Sequence, residues 1–363
     1  MKVGILTYHH VNYGALLQAY ALQTVLQQLG NTSQIIEYIK YRKKESVFSR
    51  WSGFKNLILN GFTLLRYTKV RRRHERIQEF RKNLFHISPK RYYSRAELEK
   101  SLPDVDAFIC GSDQIWRPSS DDDKLRVFYL DFVRSKDAKK IAYAPSFGIS
   151  TVSEQFKQFI RPLINDIPYL SVREKTGQQI ICEATGREAQ IVLDPTLLLT
   201  SEDWSQMASP PRIDAPYVLV YCLSQRRNFC DLVRHVKKTT GLPVVVISAP
   251  ALNLIPDADH VIFDASPQEF VGLFANANCV CTNSFHGTAF SLINRCPFWT
   301  TPHRVANTRL ADLLNKIGLS DRQVDDAEKF PDAPLEIDYS KTEVLLDEAR
   351  SNSIRFLKNA LQD

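Results

Sequence analysis

The sequence predicts an α/β protein built from two doubly wound, Rossmann-like domains that face each other across a cleft. The chain has 363 residues, and since one domain usually holds about 150 residues, two domains are expected. Strand-like and helix-like stretches alternate in two successive series, separated by a polar, proline-containing stretch at 201–214. The residues are 44% hydrophobic and 24% charged, which is typical of a soluble globular protein and excludes a disordered or fibrous chain.

The first series forms the predicted N-terminal domain, residues 1–200. It opens with a short apolar strand at 3–8, a polar and glycine-containing turn, and a helix whose apolar residues recur on one face as far as Gly30. A second strand is predicted at 34–39, and a basic helical insertion at 40–100. Further strands, each followed by a turn, are predicted at 106–110, 140–144, 169–172 and 189–193.

The second series forms the predicted C-terminal domain, residues 215–335. Ser266 and Glu269 make a capping box, and Pro267 takes the first helical position, so a helix starts there. A final helix is predicted at 340–363, and it can pack against the N-terminal domain. The other predicted elements are strands at 218–223, 244–247, 261–263, 280–282 and 298–300, and helices at 228–239, 287–294 and 308–317.

The sequence carries no sign of a membrane span or a secretory signal. The longest apolar runs, such as 218–223, are far shorter than the roughly 18 residues that a span needs. The first residues lack the apolar stretch of a signal peptide. The seven cysteines are an odd number without a C-x-x-C pair, which favours reduced core thiols. We therefore expect a cytoplasmic protein.

The positive charge is concentrated in one segment. Between Lys40 and Arg95 there are 17 lysines and arginines but three acids, a local +14, so the overall +7 leaves the rest of the chain at −7. Aromatic residues such as Trp51, Phe54 and Phe62 interleave the cations. Two interpretations stay open: a dock for an anionic surface, or helices packed on the body with a solvated basic face. Nucleic acid is not expected, since the cations are confined to one insertion without a reading motif. We predict peripheral contact of 40–95 with anionic lipid, on the inner face of the cell membrane.

Candidate site residues are those that directly follow strands, because ligands of doubly wound sheets bind at the carboxyl ends of the strands. The turn after the first strand also begins a helix, whose backbone N–H groups can bind an anion. The candidates, in chain order, are Asn12, Tyr13, Gly14, Ser112, Asp113, Trp116, Ser146, Arg173, Asn283, Ser284, His286 and Gly287.

Several residues near these strand ends have two interpretations. Trp116 is either a platform on which a sugar stacks or a core aromatic residue. Asp113 and Asp194 either bind hydroxyl groups of an acceptor or cap turns. Ser171 and Glu174 have the spacing of a capping box, which favours a structural role for Glu174.

No metal site is predicted. His9 and His10 are adjacent, but no carboxylate or cysteine stands at ligand spacing from them.

Seven stretches, which follow one another in the family's order, resemble the polysaccharide pyruvyl transferase family, and the resemblance runs from residue 3 to about 318. The resemblance implies a fold like that of the B-type glycosyltransferases. It also implies transfer of a pyruvyl group from phosphoenolpyruvate to a sugar, which forms a ketal on two hydroxyl groups and releases phosphate. The matching stretches are 4–7 (GILT), 12–22 (NYGALLQAYAL), 110–116 (CGSDQIW), 142–148 (AYAPSFG), 171–174 (SVRE), 193–196 (LDPT) and 282–291 (TNSFHGTAFS).

The resemblance implies roles for individual residues. His286 aligns with the catalytic histidine of the family, and Arg173 aligns with its donor-binding arginine. These residue types suit the chemistry, since histidine exchanges protons near neutral pH and arginine binds carboxylate or phosphate through a planar fork. Arg309 is a further candidate for anion binding. Ser284 stands where many members have an arginine, which removes one cation from the donor site.

Three functions are weighed. The first is a pyruvyl transferase of surface polysaccharide synthesis, such as that of capsule or exopolysaccharide. Its partners are phosphoenolpyruvate as donor substrate and a sugar, lipid-linked or not, as acceptor. No cofactor is expected. The second is a glycosyltransferase that uses a nucleotide sugar on the same fold, for which the sequence shows no dedicated diphosphate motif. The third is a non-catalytic sugar- or nucleic-acid-binding protein, supported by the basic segment.

Overall fold

The computed structural model describes residues 1–10, 12–39, 56–134, 138–223, 227–247, 255, 257–302, 308–324 and 336–362. Its strands are β1 (Lys2–Leu6), β2 (Thr32–Tyr38), β3 (Ile87–Tyr92), β4 (Ala107–Cys110), β5 (Lys139–Ala142), β6 (Tyr169–Val172), β7 (Gln190–Ile191), β8 (Val218–Tyr221), β9 (Val244–Ile247), β10 (His260–Ile262), β11 (Cys279–Thr282) and β12 (Phe298–Thr300). Its helices are α1 (Tyr13–Gln28), α2 (Asn56–Leu84), α3 (Arg95–Lys100), α4 (Asp122–Phe128), α5 (Glu154–Asn165), α6 (Lys175–Thr185), α7 (Ser201–Ser205), α8 (Arg227–Thr240), α9 (Pro267–Ala275), α10 (Phe285–Ile293), α11 (Thr308–Lys316) and α12 (Tyr339–Gln362).

The strands form two parallel sheets, which confirms the predicted fold class. The first sheet has the order β3-β2-β1-β4-β5-β6-β7, and the second has the order β10-β9-β8-β11-β12. Strands β4, β8, β9 and β11 are buried along their whole length, because helices cover both faces of a doubly wound sheet. The strand order reverses between β1 and β4 and between β8 and β11. A ligand crevice is expected at the carboxyl ends of these strands.

The basic segment is not wholly helical. It contains α2 and α3, as predicted, but also strand β3, which pairs in parallel with β2 at the edge of the first sheet. The burial of β3 is interrupted by exposed residues at 89–91, two of them basic, so its sequence lacks the apolar run of a central strand. The predicted insertion therefore also extends the sheet.

Part of the basic segment faces the protein rather than solvent. Arg73 is buried, and Arg76 and Arg81 make ion pairs with acids of the body. The packed-helix interpretation therefore fits the second half of α2. Trp51 and Phe54, two of the aromatic residues that interleave the cations, lie outside the described residues.

The last helix contacts both halves of the molecule. At its start, the hydroxyl of Tyr339 donates a hydrogen bond to the carbonyl oxygen of Cys296 at 2.8 Å. Further along, the Ser353 hydroxyl oxygen accepts a hydrogen bond from the backbone N–H of Leu193 at 2.9 Å. Helix α12 therefore runs from the second sheet to the first.

The two halves also share a hydrophobic core. The Tyr13 ring, at the start of α1, stacks on Phe270 of α9 with centroids 4.7 Å apart, and its hydroxyl donates to the carbonyl oxygen of Ala265 at 2.7 Å.

Among the helices that the structure describes, none combines the length and the apolar content needed to cross a bilayer. All seven cysteines are free thiols and six of them are buried, as the sequence predicts.

Candidate active site

Three buried polar side chains meet at the carboxyl edge of the first sheet. Arg173 directly follows β6, and its Nη1 donates a hydrogen bond to Oδ2 of Asp194 at 2.7 Å. The hydroxyl of Ser112, after β4, donates to the same oxygen at 2.7 Å and lies 3.3 Å from Arg173 Nη1. Asp194 and Ser112 are at most 1% exposed. The parallel strand ends thus bring together residues that are 21 to 82 positions apart in the chain.

His286 reaches this cluster from the second sheet. It lies in the first turn of α10, which follows β11 and begins with Ser284 as its N-cap. The His286 Nε2 is 3.7 Å from Oδ2 of Asp194. His286 and Arg173, which come from different predicted domains, therefore both lie beside the same carboxylate oxygen of Asp194.

Gly14 makes room for this histidine. A Cβ atom at position 14 would lie 2.1 Å from Nδ1 of His286, which no real contact allows. Any other residue would therefore displace either the imidazole ring or the start of α1. Gly14 therefore shapes the position of His286, and its contact with substrate stays a prediction.

The charges of Asp194 and His286 are set by their surroundings. Burial lowers the pKa of His286, although the charge of Asp194 opposes the shift. Burial alone would raise the pKa of Asp194, but His286, Arg173 and the hydrogen bonds from Ser112 and Thr196 together lower it. The pair therefore favours a neutral imidazole beside an ionised carboxylate.

A second arginine and a second carboxyl group border Arg173. Burial, followed by the charge of Arg173, lowers the pKa of Arg309 on α11 to about 10, so Arg309 remains a cation at neutral pH. Oε1 of Glu174 accepts hydrogen bonds from the Ser146 hydroxyl at 2.7 Å and from the Phe147 N–H at 3.2 Å. Burial raises the pKa of Glu174, which favours its protonated form.

Several buried polar atoms of this cluster have no hydrogen-bond partner among the described residues. They are Nε and Nη2 of Arg173, Nε of Arg309, Oε2 of Glu174 and Nε2 of His286. Buried donors are almost always satisfied in proteins, so unmet donors in a cleft indicate a bound group. A cavity of about 270 Å³ adjoins Arg173 and Asp194, and its lining also includes Lys175, Phe285 and Lys316. The arrangement can bind a small anion and exchange protons with it.

Asp113, Ser146 and Asp194 also lie at this cluster, and two of them stabilise the local structure. Oδ1 of Asp113 lies 3.7 Å from Arg173 Nη2, so Asp113 borders the cluster. Ser146 is fully buried and orients Glu174. Oδ1 of Asp194 caps the turn at Thr196, which confirms the turn-capping interpretation, while Oδ2 faces Arg173. Binding of an acceptor hydroxyl by Asp194 stays a prediction.

Trp116 and Tyr13 are core residues and not substrate platforms. The Trp116 ring is fully buried, stacks on Tyr129 at 4.7 Å and donates its Nε1–H to the carbonyl oxygen of Phe128. The core interpretation of Trp116 is therefore the right one. Tyr13 is 1% exposed and its hydroxyl is engaged by Ala265, so the prediction that it binds substrate is not supported.

The other predicted binding residues hold the backbone in place. Oδ1 of Asn12 caps α1 by accepting the Gly14 N–H, and Oδ1 of Asn283 accepts the Leu223 N–H. Ser284 caps α10 through the Gly287 N–H. The side-chain oxygens of Asn12, Asn283 and Ser284 are thus engaged within the fold as acceptors. Their contact with substrate stays a prediction.

The Gly287 position is sterically closed. A Cβ there would lie 2.2 Å from Oγ1 of Thr282, so only glycine lets α10 start this close to β11.

The capping-box interpretation of Glu174 is wrong. Glu174 is itself the N-cap residue of α6 and makes no side-chain cap, while the Ser171 hydroxyl donates to the carbonyl oxygen of Ala142. Glu174 and Asp194 therefore both belong to the site. Sequence spacing indicates only a cap for Glu174, whereas acceptor binding is one of the two interpretations of Asp194. Their position directly after β6 and β7 was the available signal.

One cluster with metal-ligating atoms lies elsewhere. His9, His10 and Glu37 offer ligand atoms within 4.8 Å of one another. Sequence spacing missed Glu37 because it lies on the neighbouring strand, β2. Its Oε2 already accepts a hydrogen bond from Arg81 at 2.7 Å and lies 3.1 Å from His9 Nε2. Burial lowers the pKa of His10 to about 3. These contacts describe a buried ion-pair network.

Comparison with known proteins gives one family and one fold. The model of the family described as polysaccharide pyruvyl transferase matches residues 12–303. Among curated proteins, no sequence matches this chain.

Solved structures resemble the fold at low sequence identity. S. aureus MnaA, solved with UDP, is 11% identical, with a TM-score of 0.51 over 97% of this chain and 90% of that one. The UDP-GlcNAc 2-epimerase of Neisseria meningitidis, bound to UDP-GlcNAc, is 10% identical, with a TM-score of 0.49 over the whole of both chains. E. coli heptosyltransferase WaaC with ADP is 11% identical, with a TM-score of 0.40 over 96% of this chain and 100% of that chain.

Proposed function

We propose that this chain, which belongs to the polysaccharide pyruvyl transferase family, transfers a pyruvyl group from phosphoenolpyruvate to a sugar of a surface polysaccharide or its precursor. The observation that carries the proposal is the set of buried N–H groups of Arg173 and Arg309 that make no hydrogen bond among the described residues and lie beside His286. The donor has a carboxylate and a phosphate, which are the groups that arginine binds best.

In this proposal the two arginines bind the donor. Nη1 of Arg173 is hydrogen-bonded to Asp194. Nε and Nη2 make no hydrogen bond to a described residue, and their nearest carboxylate oxygens, on Glu174 and Asp113, are 3.7 Å away, so both groups can donate to an oxyanion. The Arg173 guanidinium also lies 4.9 Å from the Phe285 ring centroid, which holds its plane. Arg309 adds a second cation from the other half of the molecule. A donor bound between the two halves would therefore contact the guanidinium groups of both Arg173 and Arg309.

The proton transfers follow from the two carboxyl groups and the histidine. The methylene carbon of phosphoenolpyruvate gains a proton, and Glu174, whose raised pKa favours the acid form, supplies it. The C2 carbon then accepts an acceptor oxygen, and neutral His286 takes the hydroxyl proton while ionised Asp194 stabilises the imidazolium.

The second half of the reaction completes the ketal. The second hydroxyl attacks C2 as the C2–O bond to phosphate breaks. Of the two hydroxyl protons, one replaces the proton lost by Glu174 and the other leaves with phosphate, so atoms and charge balance.

The experiment is to incubate the protein with phosphoenolpyruvate and a panel of lipid-linked and nucleotide-linked sugars while following phosphate release. We expect release that requires both phosphoenolpyruvate and one class of sugar, with one deuterium in the ketal methyl group when the solvent is D₂O. Absence of release from phosphoenolpyruvate, together with nucleotide release from a nucleotide sugar, would favour a glycosyltransferase instead.

A further inference from the structure

A cluster rich in arginine lies where α2 meets the second half of the molecule. We call it the seam cluster, and its members are Arg72, Arg73, Arg76, Arg212, Asp264 and Glu269. Four guanidinium groups therefore face two carboxylates.

Three of the four arginines form the ion pairs of the two carboxylates. Glu269 pairs with Arg76 at 2.7 Å and with Arg212 at 2.6 Å. Asp264 lies 3.6 Å from Arg72 and 3.6 Å from Arg212. Among the described residues, no carboxylate lies within ion-pair distance of Arg73.

Arg73 is the most buried cation of the seam cluster. It is 7% exposed, and its guanidinium lies 4.6 Å from the centroid of the Tyr13 ring. Its Nε and Nη1 have no hydrogen-bond partner among the residues that the structure describes. A guanidinium cannot lose its proton, so this buried charge requires a compensating group.

The place where Arg73 lies is itself suited to an anion. Tyr13 is the first residue of α1, a helix of 16 residues, and the helix N-terminus carries a partial positive charge. The hydroxyl of Tyr221, at the end of β8, donates to Oδ1 of Asn12 at 3.3 Å, so both sheets meet here. An anion at this point would contact both halves of the molecule.

We propose that Arg73 and the first turn of α1 form an oxyanion subsite, in addition to Arg173 and Arg309, that binds a phosphate or carboxylate group of a substrate. The identity of that substrate rests on the proposed function, but the existence of the subsite does not. The oxyanion belongs either to the donor or to an acidic group on the acceptor.

Calorimetric titration with inorganic phosphate tests the subsite. We expect the parent protein to bind phosphate at two sites, and Arg73→Met to lose one of them. Arg72→Met is the matched control, since Arg72 is adjacent on α2, is 63% exposed and already pairs with Asp264; it should keep both sites. Equal stoichiometry and affinity in the parent and in Arg73→Met would overturn the proposal.

Arg73→Lys covers the case in which the methionine variant does not fold. It retains the charge but loses the planar fork, so phosphate affinity at this site should fall roughly tenfold. Unchanged affinity in this variant would equally overturn the proposal.

Titration with phosphoenolpyruvate then distinguishes the two sources. Weaker binding of phosphoenolpyruvate to Arg73→Met would assign the oxyanion to the donor. Unchanged binding of phosphoenolpyruvate, with one phosphate site lost, would assign it to the acceptor. If phosphoenolpyruvate does not bind at all but the phosphate site depends on Arg73, the subsite stands and the proposed function fails.

Discussion

At the scale of single residues, the chemistry depends on the pairing of His286 with Asp194. The imidazole and the carboxylate come from different halves of the molecule and lie 3.7 Å apart. Neither is exposed enough for water to set its charge. Each of the two groups shifts the pKa of the other, so their protonation states depend on contact between the two halves of the molecule.

The pH dependence of turnover follows from the His286 pKa. Since burial lowers that pKa from its ordinary value of 6.5, activity that needs neutral His286 should persist below pH 6.5 and be lost only as the pH falls through the lowered value. Asp194→Asn should move this acid limb to still lower pH, because the Asp194 charge raises the His286 pKa. Profiles of kcat/KM against pH measure the limb, and a limb that moves to higher pH in Asp194→Asn would contradict the assignment.

Gly14→Ala tests the steric role of glycine. The new Cβ would overlap the His286 ring, so kcat should fall by on the order of 10²-fold through misplacement of the imidazole. Steady-state kinetics and thermal unfolding are the measurements, and unfolding should show a folded protein.

The matched control for this substitution is Gly177→Ala. Its Cβ, at the start of α6, would meet Val172 and Oε1 of Glu174 only at ordinary contact distances of 3.4–3.5 Å, so no side chain has to move. It should retain activity and gain up to about 1 kcal/mol in the free energy of unfolding. Similar activity in the two alanine variants would show that the space beside His286 is not limiting.

At the scale of elements, the basic segment remains the part of the chain whose role is least determined by packing. We propose that it contacts anionic lipid, as the local excess of cations suggests. The protein should then sediment with vesicles that contain phosphatidylserine, and not with pure phosphatidylcholine. Binding should be lost near 1 M salt, where the screening length is about 3 Å, and weakened when Arg42, Lys43 and Lys44 become Gln, at about 1 kcal/mol per cation.

A charge-matched variant controls this measurement. Lys238, Lys341 and Lys358 are exposed and belong to other elements, so their replacement by Gln should leave vesicle binding unchanged. Folded parent protein that stays in the supernatant at low salt would refute the membrane contact.

The elements differ in how far the sequence could predict them. Strands β8 and β9 are runs of apolar, mostly β-branched residues, since a central parallel strand is buried on both faces, and such runs are easily recognised. Strand β3 was missed because its exposed middle is basic and its burial depends on partners 50 residues away. Local spacing also assigned Glu174 to a cap, whereas its contact with Ser146 is a tertiary one.

At the scale of the whole molecule, the site exists only because two sheets face each other. Arg173 and Glu174 come from the first half, and His286 and Arg309 come from the second. Helix α12 and the Tyr13–Phe270 contact join the halves. The sequence could indicate which strand ends carry functional residues, but not that Trp116 turns into the core or that Arg73 turns into the seam, because those orientations depend on packing between elements.

Binding and turnover of phosphoenolpyruvate in Arg173→Lys and His286→Ala test the central claim most directly. The account predicts that Arg173→Lys binds phosphoenolpyruvate poorly, because lysine lacks the planar fork. It predicts that His286→Ala binds it nearly as well as the parent but loses on the order of 10²–10⁴-fold in turnover. Normal binding by Arg173→Lys, or near-normal turnover by His286→Ala, would contradict the account.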